Sequence, residues 1–197
     1  MGRVSKEQSL KNHELILDAA CRLFREKGVE AVSIADIMKA EGLTVGGFYK
    51  HFDSKEALVA EAFKHVFEQA SSKWEKISVS RDKEGKDSLS GIVEHYFKKR
   101  PMEQTCPMLS FVSEASKPKV LSTSQDIYTQ GVVDLFGQFK NEASNNSKLK
   151  SLDDNEAEKK IKILFSAMVG AGMLKRAFGD SSWIADIEAA ILSEVID

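Results

Sequence analysis

Apolar residues recur along this chain at the spacing of helical faces. Over residues 7–27, Leu15, Ile16, Ala19, Ala20, Leu23 and Phe24 form one stripe of an amphipathic helix, and Gly28 follows as a stop. A shorter segment opens at Ser33 and places Ile34, Ile37 and Met38 on one face. Ser33-x-x-Asp36 has the form of a capping box with Asp in place of Glu, and Gly42 suits the left-handed turn that ends the segment. Thr44 stands where it can cap a third short helix over 45–51. "DSKEAL" opens a fourth, with Asp53 or Ser54 as cap and Glu56 placed against the helix dipole. Its apolar series Leu58, Val59, Ala62, Phe63, Val66, Phe67, Ala70, Trp74 and Ile77 keeps helical period to about Ser78. Residues 80–88, "SRDKEGKDS", read as a polar linker. Further helices are expected at 88–99, 106–115, 119–143, 155–178 and 181–195, with breaks at Pro101 and Pro118 and a second polar loop over 141–155. The pattern predicts an all-α protein of about nine helices.

Composition agrees with that reading. Among 197 residues, 42% are hydrophobic and only 3 are proline, which argues for a packed core and against a disordered or all-β chain. The net charge of −2 gives no global attraction to nucleic acid. Residues 1–60 carry nine Lys/Arg against nine Asp/Glu, so any surface that meets DNA is a small patch rather than a basic face. Cys21 and Cys106 form no CxxC pair and no disulfide framework, which suits a reducing compartment. No basic start leads into an apolar run, and no stretch approaches the ~20 apolar residues of a membrane span; a cytoplasmic location without membrane contact is expected.

Enzyme chemistry has little to stand on. His13, His51, His65 and His95 make no H-E-x-x-H pair or other metal-ligand spacing. There is no G-x-S-x-G elbow, and "VGAGM" lies within a helical pattern without the strand that a dinucleotide loop requires. No catalytic residue, metal or cofactor is expected.

The two short segments around Gly42 have the form of a helix-turn-helix, whose second helix enters the major groove N-terminus first. Val45, Gly46 and Gly47 would then be the groove-facing start. Glycine costs a helix up to ~1 kcal/mol relative to alanine, but it removes side-chain bulk where backbone must approach a partner. Phe48 and Phe52 point the other way, toward Leu23, Ile34, Ile37 and Leu43. Tyr49, Lys50 and His51 stand at the exit, placed to reach phosphates, and Lys55 opens the next helix, where free N–H groups also favour an anion.

Over roughly residues 10–60 the sequence resembles the DNA-binding segment of the TetR family of bacterial transcriptional repressors. The resemblance rests on Phe-x-x-Lys-Gly at 24–28, Ser-Ile-x-x-Ile at 33–37, Gly-Leu-Thr at 42–44 and Phe-Tyr-x-His-Phe-x-Ser-Lys-Glu-x-Leu at 48–58, in that order. It implies that Tyr49, His51 and Lys55 contact the phosphate backbone, with Ser33 and Thr44 meeting it at helix starts. Val45, Gly46, Gly47 and Lys50 take base-facing or groove-edge positions. Ala35 and Val45 stand where some members carry Arg or Gln, so direct base readout is expected to be sparse, and selectivity to come from DNA shape and half-site spacing.

The resemblance further implies a helix-turn-helix domain over residues 1–54 and a ligand-binding and dimerisation domain over 55–197. The partners would be a palindromic double-stranded operator, an unknown small molecule, and a second copy joined through about residues 155–195. The expected function is a ligand-released homodimeric repressor. Tyr96, Met102, Cys106, Met108, Phe111, Tyr128, Phe136, Phe165, Met168 and Met173 are the pocket candidates, although aromatic and Met residues at helical spacing also serve as plain core. Two alternatives remain open at this point. One is a repressor that senses electrophiles or oxidants through Cys106, which stands before Pro107 at a helix start. The other is a ligand-binding helical protein that has lost DNA binding.

Overall fold

The structure is a computed structural model and describes residues 6–101, 104–115 and 122–196. All regular structure among them is helical. In order the elements are α1 (Lys6–Lys27), α2 (Ile34–Ala40), a 3-10 helix (Val45–Lys50), α3 (Lys55–Lys83), α4 (Ser88–Phe97), α5 (Pro107–Ser110), α6 (Val112–Ala115), α7 (Ser122–Ala143), α8 (Ser147–Lys150), α9 (Asp154–Phe178) and α10 (Ser182–Ser193).

Four local expectations change. The third helix is a 3-10 turn, closed by Gly47 N–H to Thr44 C=O (2.9 Å) and His51 N–H to Phe48 C=O (2.8 Å). Two adjacent glycines weaken the α form enough for the tighter turn to prevail. α3 runs on into the expected linker as far as Lys83. There Arg81 is held through two of its nitrogens, Nε donating to Asp87 C=O (3.1 Å) and Nη2 to Ser90 Oγ (2.8 Å). The expected helix over 106–115 is two short helices meeting at Phe111, which is fully buried. The polar loop over 141–155 contains α8, capped by Asn146. The break expected at Pro118 lies outside the described residues.

The chain forms two compact units, one made of Met1–Glu68 with Arg100–Gly131, the other of Gln69–Lys99 with Val132–Asp197. In the first unit a single apolar core joins Ile16, Ala20 and Phe24 of α1, Ile37 and Met38 of α2, Phe48 and Phe52 of the following segment, Leu58, Ala62 and Phe63 of α3, and Phe111. Burial of each large side chain is worth roughly 1.5–3 kcal/mol, so α1 and α3 clamp the short elements that could not fold alone. Phe63 and Phe111 stack with centroids 4.2 Å apart. α7 approaches α3 so closely at Gly131 that a Cβ there would lie 2.4 Å from Phe67 Cγ.

In the second unit α4 is buried nearly all round, with Leu89, Ile92, Val93 and Phe97 inside and α9 and α10 both packed on it. Its small residues matter, since a Cβ on Gly91 would meet Arg81 Nε at 2.7 Å. Leu135 and Phe139 of α7, Ile161, Leu164 and Met168 of α9, and Ile184 and Ile191 of α10 complete this core. Asn146 Nδ2 donates to Val195 C=O (2.9 Å), and Lys175 Nζ donates to Phe97 C=O (2.9 Å) and to Glu188 Oε1 (2.8 Å).

Candidate nucleic-acid interface

The first unit presents one short, exposed segment between two well-anchored helices. Upstream, α2 is capped by a complete box: Asp36 N–H donates to Ser33 Oγ (3.1 Å), while Ser33 N–H (2.9 Å) and Ser33 Oγ–H (2.6 Å) donate to Asp36 Oδ2. The Ser33 hydroxyl is the main reason the Asp36 carboxyl titrates below its ordinary value of 3.8, helped by the Ser33 backbone. Gly42 takes φ 65° at the turn, and Leu43 N–H then closes onto Met38 C=O (2.8 Å). Only glycine adopts that conformation without strain.

Thr44 has extended backbone and occupies the cap position, yet its side chain makes no capping hydrogen bond, contrary to the expected role. From there the side chains part. Phe48 and Phe52 go inward, stacked at 5.6 Å. Val45 is 49% and Tyr49 65% exposed, and Lys50 is exposed beside them.

Gly46 and Gly47 have no internal reason to be glycine. Neither takes a positive φ. A Cβ on Gly46 would meet nothing within 4 Å, and one on Gly47 would make only ordinary contacts, 3.5 Å to Thr44 Oγ1 and 3.7 Å to Met38 Cε.

The exit of the segment is fastened from both sides. The His13 ring of α1 stacks on Phe52 at 4.4 Å and meets the His51 ring edge-on at 6.4 Å. His13 Nε2 lies 2.6 Å from Glu61 Oε1 of α3. Half-buried His51 titrates below its ordinary 6.5, first through burial and then through the neighbouring His13 and Lys50. Ser54 caps α3, its Oγ accepting from Ala57 N–H (3.1 Å). Lys55 Nζ donates to Val29 C=O (2.7 Å), so this ammonium ties the start of α3 to the α1–α2 turn. No local sequence signal marks the His13 anchor, which needs residues 13, 51 and 61 brought together.

The pocket candidates fall in both units. In the first, Phe111 lies in the core, the Tyr128 hydroxyl donates to Met108 C=O (2.8 Å), and Phe67 packs edge-on to Tyr128. Cys106 is half-buried at the cap position of α5, within electrostatic reach of Arg100 and Tyr128. In the second unit, Phe136 and Phe165 pack edge-on at 5.1 Å, Met168 is fully buried, Tyr96 packs against Phe97, and Met173 is 61% exposed on α9. Met102 lies outside the described residues. Cys21 is core, its thiol pushed up to about 12 chiefly by burial. Among the described residues no His, Cys, Asp or Glu cluster is placed to hold a metal ion, and no helix is long and apolar enough to cross a membrane.

Two short elements joined by a Gly turn, clamped by longer helices and exposing the second element, define a helix-turn-helix domain. Residues 16–62 match the family model of bacterial regulatory proteins, tetR family, and this segment belongs to that family's helix-turn-helix domains. It is 41% identical over 61 residues to the HTH-type transcriptional regulator AcrR of Shigella flexneri and 38% identical over 65 residues to the HTH-type transcriptional repressor KstR2 of Rhodococcus jostii. These matches cover 31% and 33% of this chain but only 28% and 32% of the relatives' own length. Across the chain the likeness is one of fold. The reduced form of Escherichia coli NemR superposes with a TM-score of 0.76 at 15% identity, over 95% of this chain and 98% of that one.

Proposed function

We propose that the protein is a ligand-responsive, DNA-binding transcriptional regulator, acting as a homodimeric repressor that a small molecule releases from a palindromic operator. One observation carries the reading: on the second element of a helix-turn-helix, exposed Gly46 and half-buried Gly47 have neither a conformational nor an internal steric need for glycine. The remaining reason for their lack of side chains is an outside surface that comes close to the backbone. In this reading Val45, Gly46, Gly47 and Lys50 face the groove, Ser33, Thr44, Tyr49 and His51 meet phosphates, and Lys55 holds the frame as well as offering charge. Supporting a second copy, the outer faces of α9 and α10 leave Ile163, Met173, Phe178 and Trp183 exposed, with Phe178 and Trp183 packed edge-on. A two-fold dimer presents two reading elements about 34 Å apart to a palindrome. The ligand acts by favouring a dimer whose reading elements are mis-spaced for DNA.

The test is binding of the purified protein to DNA flanking its own gene, titrated against salt. Competitor-resistant binding at two protomers per site, lost in Tyr49→Ala, supports the reading, and the log–log salt slope counts phosphate contacts. Equal, weak binding to every duplex, unchanged by Tyr49→Ala, supports a helical ligand-binding protein without an operator. Release by quinones that Cys106→Ser abolishes would assign the sensing to that thiol.

A further inference from the structure

We propose that His13 is a positioning residue for the DNA-contact segment: by bridging Phe52 and Glu61 beside His51, it sets the place of the His51 ring and makes DNA binding take up a proton. The inference rests on the DNA-binding reading above and adds a residue and a linkage to it.

The geometry has three parts. His13 is clamped, since its ring lies flat on Phe52 (4.4 Å, 19° between planes) and its Nε2 meets Glu61 Oε1 at 2.6 Å. Phe52 is itself buried, so the clamp cannot slide. His51 is the next ring outward, edge-on to His13 at 6.4 Å, on the exit of the exposed segment that carries Tyr49 and Lys50. The charged groups acting on it are His13 from α1 and Lys50 from its own segment, with Glu61 of α3 reaching it through His13. Burial, His13 and Lys50 all disfavour the imidazolium, so in the free protein His51 titrates below its ordinary 6.5. An approaching phosphate does the opposite, because an anion stabilises the charged ring. Between the free and the bound titration, binding therefore takes up one proton at His51. The sign follows: affinity is greatest at low pH and falls as pH rises through the bound-state value, at most tenfold per pH unit for one proton.

The test uses a mixed-sequence duplex at low salt as probe, since phosphate contact needs no operator. Affinity is measured by anisotropy from about pH 5.5 to about pH 8.5 at constant ionic strength, spanning the histidine range. The wild type is expected to weaken several-fold as pH rises, and His51→Gln to lose that dependence. His13→Phe keeps the stack on Phe52 and removes the second imidazole, so its profile must shift to higher pH. His13→Gln keeps a polar partner for Glu61 without the imidazole and must shift the same way, which guards against a poorly folded Phe variant. A pH-independent wild type overturns the proposal, as does an unmoved profile in folded His13 variants, since a merely structural His13 would lower the melting temperature and leave the profile in place. No binding at any pH overturns the DNA-binding reading itself, and the proposal with it.

Discussion

Replacing Gly46 by alanine separates folding from binding, because the two effects have opposite signs. In the folded chain the added methyl meets nothing within 4 Å, and the backbone already has a φ open to any L-residue. No strain or overlap opposes the change. In the unfolded chain alanine has fewer conformations to lose, which stabilises the fold by about 0.4–1 kcal/mol. For a domain of this size each kcal/mol moves the melting temperature by roughly 2–4 °C, so Gly46→Ala is expected to melt ~1–4 °C higher. The same methyl projects from the exposed start of the reading element, and duplex affinity is expected to fall at least tenfold, ~1.4 kcal/mol. A thermal melt and a duplex titration on one preparation give both numbers. A variant that melts higher but binds as well as the wild type refutes the close-approach argument. One that melts lower refutes the claim that the glycine is internally unnecessary. Gly47→Ala is expected to follow the same signs, since its methyl makes only ordinary contacts with Thr44 and Met38.

Gly131→Ala should behave oppositely to Gly46→Ala. Its Cβ would overlap the Phe67 ring at 2.4–2.6 Å, and overpacking of this kind costs roughly 1–3 kcal/mol, so the melting temperature should fall by several degrees. In an acid titration followed by NMR, Asp36 should show a carboxyl below 3.8, and Ser33→Ala should return it toward that value. Because the folded value is the lower one, the contribution of the cap to stability is present above the unfolded value and is lost as pH falls through the folded one. Ser33→Ala should therefore flatten that acid-side loss. Thiol labelling at about pH 8 should modify Cys106 well before Cys21, whose thiol burial holds at about 12. Equal labelling rates in the native state would contradict the burial of Cys21.

Much of the first unit could be read from residue spacing. The Ser33–Asp36 box, the Gly42 turn, the inward course of Phe48 and Phe52 and the burial of Cys21 are local or periodic features, governed by residues within a turn or two of one another. The sequence misled where a local preference was nearly balanced. Thr44 could cap, but the 3-10 turn at Gly46–Gly47 gave its side chain no bond to accept. The linker at 80–88 looked polar enough to end α3, but Arg81, held by Asp87 and Ser90, carried the helix to Lys83.

What the sequence by itself determined, then, was the helical class, the helix-turn-helix and the family resemblance over roughly residues 10–60, because periodicity, caps and turn glycines act at short range. What only the tertiary structure decided depended on residues far apart in the chain. Lys55 turned from a free cation into a tie on the Val29 carbonyl, 26 positions away. His13, unremarkable on a helical face, became the clamp between Phe52, His51 and Glu61. The pocket candidates were divided between two units, and Met173 was turned outward on α9 while Met168, five residues earlier, went inside. Helical period tells which side chains share a face. Which neighbour covers that face is settled only when the helices pack.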